Sequence, residues 1–97
     1  MKYIVVDASL HGTGIRDYYA GGYIDPSALG LSDGLVQRIR TWLNRYETEH
    51  YNSFQDIKLI NALDSEGRDI ARMLKSEVSE ETKIDYFSSA FMRKEKI

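Results

Sequence analysis

Two apolar stripes of helical period fill the middle of this chain, and a short run rich in β-branched and aromatic residues stands on either side. Leu35, Ile39, Trp42, Leu43 and Tyr46 fall on one side of a helix that starts at Ser32 and ends near His50. Ser32 has the hydroxyl that an N-cap needs, and Asp33 suits the positive end of the helix dipole. Gln37, Arg38, Arg45 and Glu49 lie largely off the stripe, with Arg45 and Glu49 spaced to pair. The second stripe is Ile57, Ile60, Leu63, Ile70, Leu74 and Val78. Ser53 reads as its N-cap, with Asp56 three residues on. Gly67 interrupts it at a cost of about 1 kcal/mol relative to Ala. Three explanations are open: a bend, another element approaching closely, or two helices divided at Asp64–Ser65.

The flanking runs read as strands. "KYIVVDA", Lys2–Ala8, holds three consecutive apolar residues and so predicts a strand buried on both faces, central in its sheet. "KIDYFSSAF" alternates Ile84 and Tyr86 with Asp85 and Phe87 and predicts a closing strand. The tail "MRKEKI" is charged and reads as frayed. The order β-loop-α-α-β predicts an α/β (α+β) fold, a small two-layer sandwich in which two amphipathic helices cover a short sheet. Ninety-seven residues suit one domain, 1–97.

Between the first strand and the first helix lies "LHGTGIRDYYAGGYIDP", with four of the seven glycines and three of the seven tyrosines. "YAGGY" predicts an irregular hairpin over Ile15–Ile24, and Pro26 makes a turn of Asp25–Ser27. The number of strands depends on whether this region pairs. Its glycines do not make a phosphate loop: Gly12 and Gly14 are two apart and no Lys follows. A dinucleotide fingerprint fails because its third glycine is replaced by Asp17. His11, Ser9 and Asp7 are the residues of a minor hydrolase reading, but no G-x-S-x-G context accompanies them. His11 and His50 have no metal-ligand spacing, so neither metal nor cofactor is expected.

The chain has no cysteine, which removes disulfides and thiolate chemistry and points to the cytoplasm. No apolar run approaches the ~20 residues of a membrane helix, and no membrane role is expected. A formal net charge of −2 disfavours direct nucleic-acid binding and suits a basic protein partner. Tyr18, Tyr19 and Tyr23 cluster in the loop, where tyrosine supplies broad contact area with few rotatable bonds. Asp17 and Asp25 bracket them and are expected to make the patch acidic. The expected partner-binding residues are therefore Asp17, Tyr18, Tyr19, Tyr23 and Asp25, with Glu47 and Glu49 as a second acidic group. Trp42, on the helix stripe, is expected in the core.

"HGTGIRD…GGYIDPSALGLSDGLVQRIRTWLNRYE" followed by "DSEGRDIARMLKSEV…KIDYF" resembles a set of short bacterial proteins. Their pattern has a D/H-G-T-G turn, a Gly-rich loop, L-S at a helix start and W-x-x-x-Y-E. An E-G-x-x-x-A helix and an aromatic closing strand follow. In size, charge and lack of a catalytic signature the chain is also similar to immunity proteins of polymorphic toxin systems, including contact-dependent growth inhibition. The resemblance implies a protein without enzymatic activity that binds a cognate toxin domain, frequently a nuclease, and blocks it by occlusion. His11 stands where the pattern has Asp most often and takes no role from it. The competing expectation is a small regulatory or scaffold subunit, homodimeric through a sheet edge.

Overall fold

β1 (Tyr3–Asp7) runs through the middle of the sheet, as its unbroken apolar run requires. In this computed structural model, which describes residues 2–97, it is followed by β2 (Ile15–Asp17) and a 3-10 turn (Pro26–Leu29). Then come α1 (Asp33–Tyr51), α2 (Ile57–Glu77), β3 (Lys83–Ser88) and β4 (Arg93–Lys96). The sheet order is β2-β1-β3-β4, with β1 parallel to β3 and both outer strands antiparallel to their neighbours. A parallel pair needs a long crossover, and the helical layer supplies it. The result is the expected two-layer α+β sandwich, with two strands more than the order β-loop-α-α-β contained. Among the described residues no helix is long and apolar enough to cross a membrane.

Register divides the strand side chains cleanly. Ile4 and Val6 of β1 lie beside Ile84 and Tyr86 of β3 and face the helices. Leu35, Ile39, Trp42 and Tyr46 from α1 and Ile60, Leu63, Ile70 and Leu74 from α2 complete the core, all essentially sealed from solvent. Trp42 Nε1 donates to the Leu63 carbonyl at 2.8 Å, so its one polar atom is satisfied inside that core. Ser32 caps α1 and is itself held by Glu77 in the last turn of α2, through bonds of 2.6 and 2.8 Å.

α2 is capped by Asp56 rather than Ser53: the Asp56 carboxylate accepts from the Leu59 N–H at 3.1 Å. Ser53 and Phe54 instead take left-handed backbone angles, φ 59° and 54°, and reverse the chain between the helices. Ile57 then sits at the exposed start of α2, so the buried stripe begins at Ile60. The helix runs unbroken past Gly67, because the Tyr86 ring lies against the helix there and a Cβ would overlap it. Close approach explains the glycine. Gly67→Ala is expected to destabilise the chain by about 1–3 kcal/mol through overpacking, although Ala favours an isolated helix by about 1 kcal/mol. Denaturant unfolding measures this, and a gain in stability would show that Tyr86 is free to move.

Asp64, which marked a possible helix break, is instead the centre of a buried network. Its carboxylate accepts from Tyr46 Oη at 2.8 Å, Tyr86 Oη at 2.6 Å and Ser88 Oγ at 2.7 Å, joining α1, α2 and β3.

The tail is not frayed: Arg93–Lys96 forms β4 against β3. Its four residues are exposed and carry no apolar alternation, so sequence periodicity has nothing to register. Glu95 pairs with Arg68 of α2 at 2.7 Å, and the Ile97 N–H donates to Ile84 O at 3.0 Å. At the other edge the expected hairpin is present. Asp17 N–H donates to Gly22 O at 2.8 Å and Ile24 N–H to Ile15 O at 2.9 Å.

Candidate functional site

The helices cover one face of the sheet. On the other face stand Tyr3, Val5 and Asp7 of β1, Arg16 of β2, Lys83, Asp85 and Phe87 of β3, and Lys94 and Lys96 of β4. The hairpin folds Tyr18 and Tyr19 onto this face. Tyr3 and Tyr18 stack nearly parallel with ring centroids 4.1 Å apart. Tyr19 meets both edge-on, at 5.9 and 5.5 Å. Such pairs stabilise by about 0.5–1.5 kcal/mol beyond their area, which holds the rings as a preformed unit. Tyr18 remains 46% exposed and Tyr19 67%.

Two carboxylates lie beneath this surface, although a strand's solvent-side aspartate is ordinarily exposed. Asp85 is 2% exposed: Tyr3 Oη donates to it at 2.5 Å, and Lys94 Nζ lies 3.6 Å away. Lys94 also sits 4.6 Å above the Tyr18 ring. Asp7 is 1% exposed, paired with Arg16 at 2.8 Å and accepting from Ser9 Oγ at 2.5 Å. Each buried charge therefore has a cation and a hydroxyl donor beside it, the condition for carrying it at tolerable cost. Asp7, which the sequence offers only for the minor hydrolase reading, and Asp85 were not among the expected partner-binding residues. An aspartate closing or interrupting each of the two most apolar strands is the only sequence sign of them.

The strand side chains of this face carry more positive than negative charge: Arg16, Lys83, Lys94 and Lys96 against Asp7 and Asp85. The aspartates expected to make the tyrosine patch acidic are engaged in turns. Asp17 Oδ1 accepts from the Tyr19 and Ala20 N–H groups, shaping the bend that presents the tyrosines. Asp25 caps the 3-10 turn, accepting from Ser27 Oγ and Ser27 N–H, bonds that hold its carboxyl below the usual range. Tyr23 stands apart with its ring against Gly12.

Glu47 is half-buried on α1, and Glu49 is buried, at 4% exposure. Glu49 lies three residues beyond Tyr46 and continues the core stripe, so it does not pair with Arg45, which reaches Glu66 of α2 at 3.4 Å instead. The structure thus joins Tyr18 and Tyr19 to Tyr3, and leaves Tyr23, Asp25, Glu47 and Glu49 outside that cluster.

No acid–base pair converges on His11. It is exposed, and among the described residues its side chain makes no hydrogen bond, while Ser9 is bonded to Asp7. The other histidine is structural: His50 Nε2 donates to the Ala8 carbonyl at 2.8 Å.

Several tyrosines titrate late. Donation to Asp85, then loss of solvent, pushes Tyr3 up to about 12, and burial pushes Tyr46 up to about 12. Tyr86 is driven up by burial and by its bond to Asp64. A phenol raised above its ordinary value of 10.0 contributes stability that is complete below that value. The contribution is lost as pH climbs through the folded value. Denaturant unfolding is therefore expected to show stability falling between about pH 10 and 12, with Asp85→Asn removing the Tyr3 part.

Residues 6–89 match the family model described as Serratia CdiI immunity protein-like. Among curated proteins no match is found.

Proposed function

The chain belongs to the Serratia CdiI immunity protein-like family, and from that premise we propose how it disarms its toxin. Proteins of this family are immunity proteins of contact-dependent growth inhibition: they neutralise a toxin and are not enzymes. The mode proposed here is occlusion. The open face of the sheet, led by Tyr18 and Tyr19 with Tyr3 behind them, seats on the toxin domain and shuts its substrate out.

The carrying observation is the interlocked three-tyrosine unit, exposed on the one sheet face that the helices leave uncovered. Rigid aromatic groups that lose little freedom on binding are the residue type that dominates interface energetics. Asp17 shapes this contact from within the turn, and Tyr23 and Asp25 extend it along the hairpin. Glu47 and Glu49 belong to a second contact at the end of α1.

The toxin is read as a nuclease met in the cytoplasm. A nuclease holds phosphates with a basic surface, and the chain's overall net charge of −2 favours encounter with such a surface. The open sheet face is itself locally basic and holds the toxin through its tyrosines rather than through charge. The chain itself touches no nucleic acid. Co-expression with the product of the neighbouring toxin gene tests this reading. A one-to-one complex is expected, with nucleic-acid cleavage abolished at one equivalent of the chain. Undiminished cleavage within a stable complex would overturn occlusion, and a toxin that leaves DNA and RNA intact would overturn the nuclease assignment.

A further inference from the structure

We propose that the depression between the helices, at the end of α1, receives a basic side chain of the toxin, with Glu49 as its counter-ion. This rests on the immunity reading and names the chemistry of its second contact.

Glu49 carries the inference. The residue is only 4% exposed, and among the described residues its carboxylate makes no ion pair or hydrogen bond, so that its oxygens keep their one narrow access to solvent through the depression. It lines an open depression of about 640 Å³ together with Tyr51, Asn52, Gln55 and Asp56. No Lys, Arg or His lines that depression, and the Asp56 carboxylate is already engaged in capping α2. A carboxylate with so little access to solvent is poorly hydrated, and chains ordinarily give such a group partners of their own. The three other buried carboxylates all have such partners: a cation and a hydroxyl beside Asp7 and Asp85, and three hydroxyl donors on Asp64.

The surroundings suit a cation from outside. The negative end of the α1 dipole points here. The amide oxygens of Asn52 and Gln55 are acceptors for the several N–H donors of a guanidinium. Tyr51, 70% exposed, offers a ring face at the rim. The site is also separate from the tyrosine unit. His50 bonds to Ala8 beyond the end of β1, whereas Tyr18 stacks on Tyr3 at its start, so the two contacts are independently variable.

The test uses Glu49→Gln, which keeps the side chain's shape. Removing an unpaired buried charge is expected to leave the free chain as stable as the original or more so, while toxin binding weakens at least tenfold. In parallel, N-acetyl-arginine amide is titrated into the free chain and followed by amide NMR. Shifts are expected at Asn52 and Gln55, absent in Glu49→Gln and absent with the neutral citrulline analogue. Unchanged toxin affinity in Glu49→Gln would overturn the proposal, as would equal shifts with citrulline or none with arginine. Those failures leave the inhibitor reading intact, whereas a wild-type chain that does not bind the toxin at all refutes that reading instead.

Discussion

Replacing Asp64 with alanine is expected to destabilise the chain by about 3–5 kcal/mol, the cost of breaking a buried hydrogen-bonded charge network. Three hydroxyls converge on this carboxylate, and all three groups are buried with it. Alanine leaves Tyr46, Tyr86 and Ser88 with donors aimed into an apolar space too tightly packed to hydrate easily. A domain of this size has about 5–15 kcal/mol in hand, so the variant is expected to unfold at markedly lower denaturant. Asp64→Asn separates geometry from charge. Its amide oxygen can still accept from both tyrosines, which donate to the same carboxylate oxygen, while its NH2 faces Ser88 Oγ. The expected loss is then about 1–2 kcal/mol, one imperfect hydrogen bond and a weaker acceptor. Denaturant unfolding followed by the fluorescence of buried Trp42 reads both. An alanine variant within 1 kcal/mol of the original would mean that the network contributes little.

The second large effect is on binding. Tyr18→Ala together with Tyr19→Ala is expected to weaken the toxin complex by about 100- to 1,000-fold, the scale of losing two aromatic anchors at about 1.5–2 kcal/mol each. The cost to folding is far smaller, about 0.5–1.5 kcal/mol for the lost stacking on Tyr3. Titration calorimetry with the toxin domain gives the first number and thermal unfolding the second. Adding Asp17→Ala removes the acceptor that holds the Tyr19 and Ala20 amides, so the bend loosens and binding falls further. Unchanged affinity in the triple variant would remove this face from the interface.

Most of the fold was legible because burial leaves a periodic trace. The stripe Leu35–Ile39–Trp42–Tyr46 and the run Ile4–Val5–Val6 identify α1 and β1 without further information. The hairpin Ile15–Ile24 was legible from its glycines. β4 was not, since Arg93–Lys96 is held by its ladder and by Arg68–Glu95, which are long-range contacts without an apolar pattern. Polar residues inside the core misled for the same reason. Glu49 and Asp64 occupy stripe positions, but their residue types suggest a solvated face and a helix break. Three hydroxyls from distant segments make Asp64 a core residue, and none of them is near it in sequence.

The candidate site was half legible. Tyr18 and Tyr19 stood out as loop aromatics, whereas Tyr3, the ring they stack on, looked like an ordinary strand residue. Asp17 and Asp25 looked like free charges because their roles as turn acceptors depend on local backbone geometry. The positive balance of the open face follows from strand pairing alone, which places Lys94 and Lys96 beside Phe87 and Asp85.

Amide hydrogen exchange on the chain, free and bound to its toxin, shows which surfaces the toxin covers. New protection is expected over residues 15–24, beside the tyrosine unit, and over residues 49–56, around Glu49. Protection confined to the outward faces of α1 and α2, with both of those segments exchanging as in the free chain, would contradict both contacts.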